Sequence, residues 1–122
     1  MKIEDPAVIV AEFEGLVNMA ARELEAWLES EASRCPAWAG DELIALENGR
    51  IVLDILRRNP ARNWELYTKG DVEHMRRVVC YCTRQYDLPN NGTNRDRNLK
   101  NWGHDVNKAL QQVDRLGVES AE

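Results

Sequence analysis

Apolar residues recur at helical spacing along almost the whole chain, and no stretch keeps the strict alternation of a half-buried strand. Three of the resulting stripes are Val10, Phe13, Leu16 and Val17; Leu24, Trp27 and Leu28; and Met75, Val78, Val79 and Cys82. Because such spacing marks one buried face of a helix, the pattern predicts an all-α fold. The segments are too short and too often interrupted for an up-down four-helix bundle, so we expect a compact orthogonal bundle of about five or six short helices.

Turn-forming residues divide these segments. Asp5 and Pro6 suit the N-cap and first turn of the first helix. Asn18 interrupts residues 6–31, since asparagine favours caps and turns over helix interiors. This favours two helices with a tight corner at Asn18–Ala20, and one long helix is the alternative.

The third helical segment, DELIALENGRIVLDILRRN, follows a loop that contains Pro36 and Gly40. Asp41 is its expected N-cap and Pro60 its end. Gly49 is expected to weaken the middle by about 1 kcal/mol relative to alanine, so the stable part could begin near Asn48. Asp71 is expected to cap the fourth helix.

The length of 122 residues corresponds to one domain, residues 1–122, with a frayed tail over about 117–122. No apolar run approaches the roughly 18 residues of a membrane span, and the N-terminal stretch lacks the form of a signal peptide. We therefore expect an intracellular protein, cytoplasmic or nuclear, that has no membrane partner.

Candidate chemistry for catalysis is sparse. The three cysteines, Cys35, Cys80 and Cys82, are expected to be free thiols. On a helix, Cys80 and Cys82 point about 200° apart and cannot bind one metal together. His74 has no ligand-type residue three or four positions later and is expected to be solvated. With no nucleophile–base pair, phosphate loop or metal motif, the sequence predicts a protein that is not an enzyme and that uses no cofactor or metal.

Charge is distributed unevenly within the net −5. Residues 1–49 carry eleven acidic and three basic side chains, whereas residues 50–100 carry eleven basic and six acidic ones. The sequence pI near 5.1 is low for a nucleic-acid-binding protein, but a local basic patch sets the field near its own surface. The acidic part is therefore expected to face away from a basic surface.

Three successive helical segments of the basic part supply the candidate binding residues. They are Arg57 and Arg58; Arg76, Arg77 and Arg84; and Arg95, Arg97 and Lys100. If these segments pack together, their cations would converge on one surface suited to phosphate groups, with aromatic residues nearby for stacking. Ordinary solvated faces paired with Glu and Asp are the alternative.

The sequence WGHD, residues 102–105, is a second candidate. Gly103 can end a helix in a left-handed conformation and Asp105 can cap the next one, which makes the four residues a corner between helices. A recognition corner that exposes Trp102 and His104 is the functional alternative. A catalytic His104–Asp105 pair is disfavoured because adjacent residues rarely pair in that way.

Three pieces of the chain carry a resemblance when they are taken in order. They are LVNMAARELEAWL (16–28), ENGRIVLDILRRNP (47–60) with DVEHMRRVVCYCTRQ (71–85), and NLKNWGHDVNK (98–108). Together they resemble a family of small bacterial and fungal proteins called domain of unknown function 3140, some of which carry a DNA-binding label. Family members usually have Ser or Thr where this chain has Ala20, so the cap of the second helix must come from Asn18 or be missing.

The resemblance implies a small intracellular domain with no established catalytic residues. With the charge pattern, it favours a non-enzymatic binding module that contacts nucleic acid through a basic face in residues 50–100. The alternative is a protein–protein interaction module or homo-oligomer that uses the acidic N-terminal and basic middle faces.

Overall fold

The computed structural model describes residues 5–30, 41–87 and 93–111, and within these ranges the protein is all-α. The helices are α1 (Pro6–Leu16), α2 (Ala21–Glu29), α3 (Asp41–Arg58), α4 (Lys69–Asp87) and α5 (Thr93–Asn101), with a 3-10 helix at Trp64–Leu66. A further helical stretch covers residues 106–111. The predicted helical bundle is confirmed. The expected tail over 117–122 lies outside the described residues.

The core forms where α1 packs on α4 and α2 packs on α3, with α5 touching α2, α3 and α4. Its fully buried side chains are mainly those of the predicted stripes, among them Phe13, Val17, Leu24, Met75, Val78 and Cys82. Val52 and Ile55 from α3 and Leu99 from α5 complete it. Burial of these apolar side chains is the principal force that holds the helices together.

Residues 6–29 form two helices separated by a corner, as the sequence favoured. The N-cap of α2 is Ala20, which has no side-chain acceptor; its backbone N–H instead donates to Glu23 Oε1 at 2.8 Å. Asn18 does not cap α2. Its side chain donates to the Asp105 carbonyl at 3.0 Å and accepts from the Asp105 backbone N–H at 2.7 Å.

Two sequence-based boundary assignments need correction. Helix α3 is continuous through Gly49. The glycine allows α5 to approach closely at that point, since a Cβ there would lie 2.3 Å from the Asn101 carbonyl oxygen. Asp71 is not the N-cap of α4. Its backbone N–H donates to Thr68 Oγ1 at 3.0 Å and its carboxylate accepts from the Thr68 N–H at 3.1 Å, so Thr68 and Asp71 form a capping box.

Residues 102–105 (WGHD) form a corner between α5 and the helical stretch that follows, as Gly103 predicted. Gly103 has φ +96. His104 N–H donates to the Leu99 carbonyl and Gly103 N–H to the Lys100 carbonyl, each at 3.0 Å, which is the Schellman pattern. Asp105 Oδ1 accepts from the Asn107 N–H at 2.9 Å and begins the next helical stretch. This corner packs on the corner between α1 and α2, where Asn18 binds Asp105.

Candidate nucleic-acid interface

Helix α4 presents one exposed polar face to solvent. The exposed residues of this face, called the α4 ridge below, are Lys69, Glu73, Arg76, Arg77, Cys80, Thr83, Arg84 and Asp87. At 100° per residue they fall within an arc of about 120°, and the buried residues of α4 occupy the other side. The α4 ridge carries four basic and two acidic side chains.

The arginines of the α4 ridge differ from most other predicted site residues in their pairing. Arg76, Arg77 and Arg84 form no ion pair with any side chain in the described ranges. Their guanidinium groups are therefore available to an external anion.

Arg57 and Arg58 of α3 are instead paired within the fold. Arg57 binds Glu25, and this hydrogen bond raises the pKa of Arg57. Arg58 binds Asp54 and Asp71, both at 2.8 Å, and its hydrogen bond to Asp71 raises its pKa further. The side chain of Asp71 is only 9% exposed, so Arg58 acts mainly as its counter-ion.

The basic residues of α5 are also engaged. Arg95 pairs with Asp96 at 3.1 Å and lies 5.2 Å from the centre of the Tyr86 ring. Lys100 lies over the Trp27 ring at 4.4 Å. Arg97 is half-buried and also has an interaction of its own. The structure therefore does not bring the three basic segments together as one unpaired surface, because carboxylates or aromatic rings engage four of the eight cations: Arg57, Arg58, Arg95 and Lys100.

Trp102 and His104 lie in the core and do not form an exposed recognition corner. Trp102 is buried and stacks on Tyr81, with ring centres 4.1 Å apart. His104 donates from Nδ1 to the Leu16 carbonyl at 2.7 Å, which leaves Nε2 to accept from the Tyr86 hydroxyl. Both side chains hold α5 and the corner that follows it against α1 and α4.

His74 is buried, which corrects the expectation that it is solvated. Its Nε2–H donates to the Asn48 carbonyl at 3.2 Å, because α4 packs this face against α3. The two cysteines of α4 point apart as predicted: Cys80 is exposed and Cys82 is buried. Burial raises the pKa of Cys82 to about 12, so its thiol stays neutral. Cys35 lies outside the described residues.

Two buried groups of α4, His74 and Asp71, predict a loss of stability in acid. Burial lowers the pKa of His74 below its usual value. Burial acts to raise the pKa of Asp71, but hydrogen bonds from Arg58 and Thr68 outweigh it and the pKa is lowered. Both groups bind protons more readily in the unfolded chain. Their contributions to the free energy of unfolding are therefore complete above the unfolded pKa values, about 6.5 for His74 and about 3.9 for Asp71, and are lost as the pH falls.

Urea denaturation at a series of pH values checks this expectation. Stability should begin to fall below about pH 6.5, and fall further below about pH 4. The variant His74→Gln removes the first titration, so its stability should change less than that of the original protein between these two values. Parallel curves for the two proteins in that interval would contradict the assignment to His74.

An open groove lies beside the α4 ridge, between α1 and the N-terminal part of α4. Its volume is about 650 Å³. Lining residues are Ile9 and Val10 of α1, Trp64 and Tyr67 of the connector, and Lys69, Val72, Glu73 and Arg76 of α4. The sequence did not predict this groove. The signal that could have indicated it is the pair of aromatic residues, Trp64 and Tyr67, in a polar connector.

Glu14 holds the aromatic residues of the groove in place. Its carboxylate accepts hydrogen bonds from Trp64 Nε1 and from the Tyr67 hydroxyl, both at 3.1 Å. Burial, followed by the bond to Glu14, raises the pKa of Tyr67 to about 12, so Tyr67 remains a donor. Arg62, with φ 56, donates to the carbonyls of Glu14 and Val17 at 3.1 Å and fixes the connector to the end of α1.

Among the described residues, no three His, Cys, Asp or Glu side chains are grouped so that they could hold a metal ion. A search of the same residues finds no helix with the length and apolar character needed to cross a membrane.

Comparison with known protein families identifies a matching family model. The model of a family described as "Protein of unknown function (DUF3140)" matches residues 12–106. This range includes the last five residues of α1, all of α2, α3, α4 and α5, and the whole α4 ridge. No curated protein and no solved structure matches the chain.

Proposed function

The chain belongs to the DUF3140 family, and from that premise we propose that it is an intracellular, non-catalytic module that binds the phosphate backbone of nucleic acids through the α4 ridge. The observation that carries the proposal is the set of exposed arginines Arg76, Arg77 and Arg84, which form no ion pair with a described residue. Exposed guanidinium groups without an ion pair can form bidentate hydrogen bonds with phosphate oxygens.

The spacing of these arginines suits a nucleic-acid strand. Arg76 and Arg84 are eight residues apart, which corresponds to about 12 Å along the helix axis. Successive nucleotides of a strand rise about 3.4 Å along a duplex, so the arginines span about three to four nucleotides. Contacts of this kind position a strand without reading its sequence.

The acidic side chains of the protein set the expected strength of binding. Glu73 and Asp87 lie on the α4 ridge itself, and the whole chain has a net charge of −5. Repulsion from these groups opposes the approach of a phosphate backbone. We therefore expect modest affinity with a clear dependence on salt.

Titration of labelled duplex and single-stranded DNA tests the proposal. Affinity should fall as salt is raised from about 50 mM to about 200 mM, because binding releases counterions. The triple variant Arg76→Ala, Arg77→Ala, Arg84→Ala should lose most binding to every sequence. The slope of log K against log salt should become shallower by about two to three, the number of phosphate contacts removed.

A second triple variant provides the matched control. Arg22→Ala, Arg50→Ala, Arg57→Ala removes the same charge from exposed positions of α2 and α3. Equal weakening by both triple variants would show that net charge alone matters, and no binding by the original protein at low salt would end the proposal.

A second candidate function is protein binding at the same side of the molecule. Exposed apolar side chains near the groove favour it: Trp64 is 46% and Leu66 59% exposed. An interface centred on such residues would depend little on salt, because its driving force is apolar burial. The salt dependence of binding therefore distinguishes the two candidates.

A further inference from the structure

The groove and the α4 ridge form one continuous surface. Lys69, Glu73 and Arg76 belong to the exposed face of α4 and also line the groove. A nucleic-acid strand bound along the arginines of the α4 ridge therefore passes the opening of the groove. Its volume of about 650 Å³ lies within the usual range for sites that take small molecules or single groups.

The interior of the groove suits a flat, uncharged ring. Its floor includes the buried apolar residues Ile9 and Val10, and Trp64 presents an aromatic surface that is 46% exposed. The hydrogen bond from Trp64 to Glu14 holds the indole in one orientation, so little conformational freedom remains to be lost on binding. Lys69 and Arg76 supply positive charge beside this apolar surface.

Aromatic surfaces beside a line of cations are the features by which proteins bind single strands. The bases of a duplex are stacked inside the helix, and one of them can enter a protein groove only after it is unpaired and unstacked. An unpaired strand offers its bases at no such cost. The groove therefore adds affinity for a single strand but adds none for an intact duplex.

We infer that the groove between α1 and α4 receives an unstacked base next to Trp64 while Arg76 and its neighbours on the α4 ridge hold the adjoining phosphates. The preferred ligand of the proposed interface is thus a single-stranded nucleic acid. This inference rests on the proposed function, since it assigns the ligand class of the same surface.

The test compares three labelled ligands of equal length, about ten nucleotides: oligothymidine, an abasic strand and a duplex. Because the abasic strand keeps the phosphates but has no bases, it reports backbone contacts alone. The original protein should bind oligothymidine about tenfold more tightly than the abasic strand, as one stacked base would produce. Trp64→Leu should remove this difference and leave binding to the abasic strand and the duplex unchanged.

Two further variants separate stacking from folding. Trp64→Phe keeps an aromatic ring without the hydrogen bond to Glu14 and should retain most of the preference for oligothymidine. Leu66→Ala changes a neighbouring residue that is 59% exposed and does not line the groove, so it should behave like the original protein. Circular dichroism of each variant verifies that the fold is intact.

The possible outcomes separate the two proposals. Equal binding of oligothymidine and the abasic strand, with no effect of Trp64→Leu, would overturn the base-binding groove and leave phosphate binding by the arginines in place. Binding of none of the three ligands at low salt would overturn both. A preference for oligothymidine that Trp64→Leu leaves intact would also overturn the groove, because the bases would then contact another surface.

Discussion

Gly49→Ala is expected to destabilise the protein by about 3 kcal/mol, a large part of the stability of a typical domain. A Cβ at this position would lie 2.3 Å from the Asn101 carbonyl oxygen and 2.9 Å from Leu28 Cδ2. The first of these atoms belongs to the backbone of α5, so α3 and α5 would have to separate. The higher helix propensity of alanine offsets only about 1 kcal/mol of the cost.

The movement of α5 would disturb more than one contact. The side chain of Asn101 accepts a hydrogen bond from Trp27 Nε1 at 2.7 Å, and Leu99 is fully buried. Both residues lie on the helix that has to shift. We therefore expect the cost to arise from loss of packing between α2, α3 and α5 as well as from the local clash.

Gly15→Ala is the matched control, because it makes the same substitution inside α1. Nothing lies within 4 Å of a Cβ built at Gly15, and this residue is exposed. The control should therefore be unchanged or up to about 1 kcal/mol more stable. Urea denaturation followed by circular dichroism measures both. A Gly49→Ala variant as stable as the original protein would show that α3 and α5 are farther apart than in this structure.

Trp102→Ala is expected to cost about 3–5 kcal/mol, the usual effect of truncating a buried aromatic residue. The indole is 7% exposed and lies parallel to the Tyr81 ring, with 4.1 Å between ring centres. The His74 ring is also parallel to it at 6.2 Å. Removal of Trp102 leaves a cavity between α4 and α5 that these side chains cannot fill without leaving their own contacts.

Two controls show whether Trp102 acts in folding or in binding. Trp102→Phe should be milder, because the buried Nε1 has no hydrogen-bond partner among the described residues and its loss removes no bond within them. Trp64→Ala should change stability by about 1 kcal/mol or less, since Trp64 is 46% exposed. Thermal denaturation of the three variants, with DNA titration of those that remain folded, measures both properties. A stable Trp102→Ala variant that loses DNA binding would contradict the core assignment.

The helices were predictable because helix formation depends mainly on residues that are close together in sequence. Apolar spacing identified the buried faces, with Phe13 and Leu24 both at 0% exposure. Asn18 lies in the corner between α1 and α2, as predicted, but its side chain binds the Asp105 backbone there and does not cap α2. Asp71 lies at the third position of α4 and not at its N-cap, because Thr68 is the N-cap and forms a capping box with Asp71.

The candidate site was only partly predictable. The seven-residue spacing of Arg77 and Arg84 correctly placed them on one face of α4. The pairing of Arg57 with Glu25 could not be read from the chain, because these residues are 32 positions apart and meet only when α2 packs on α3. The groove was equally hidden, since its walls come from α1, the connector and α4.

By itself, the sequence determined the all-α class, most helix boundaries, the two corners and the basic character of α4, because these properties arise from contacts and conformations within a few residues. Tertiary structure alone decided which cations remain unpaired, why α3 contains a glycine, and that Trp64 and Arg76 line the same groove. Those outcomes depend on the distance between segments remote in sequence, and ion pairs, clashes and grooves form only once helix packing has set that distance.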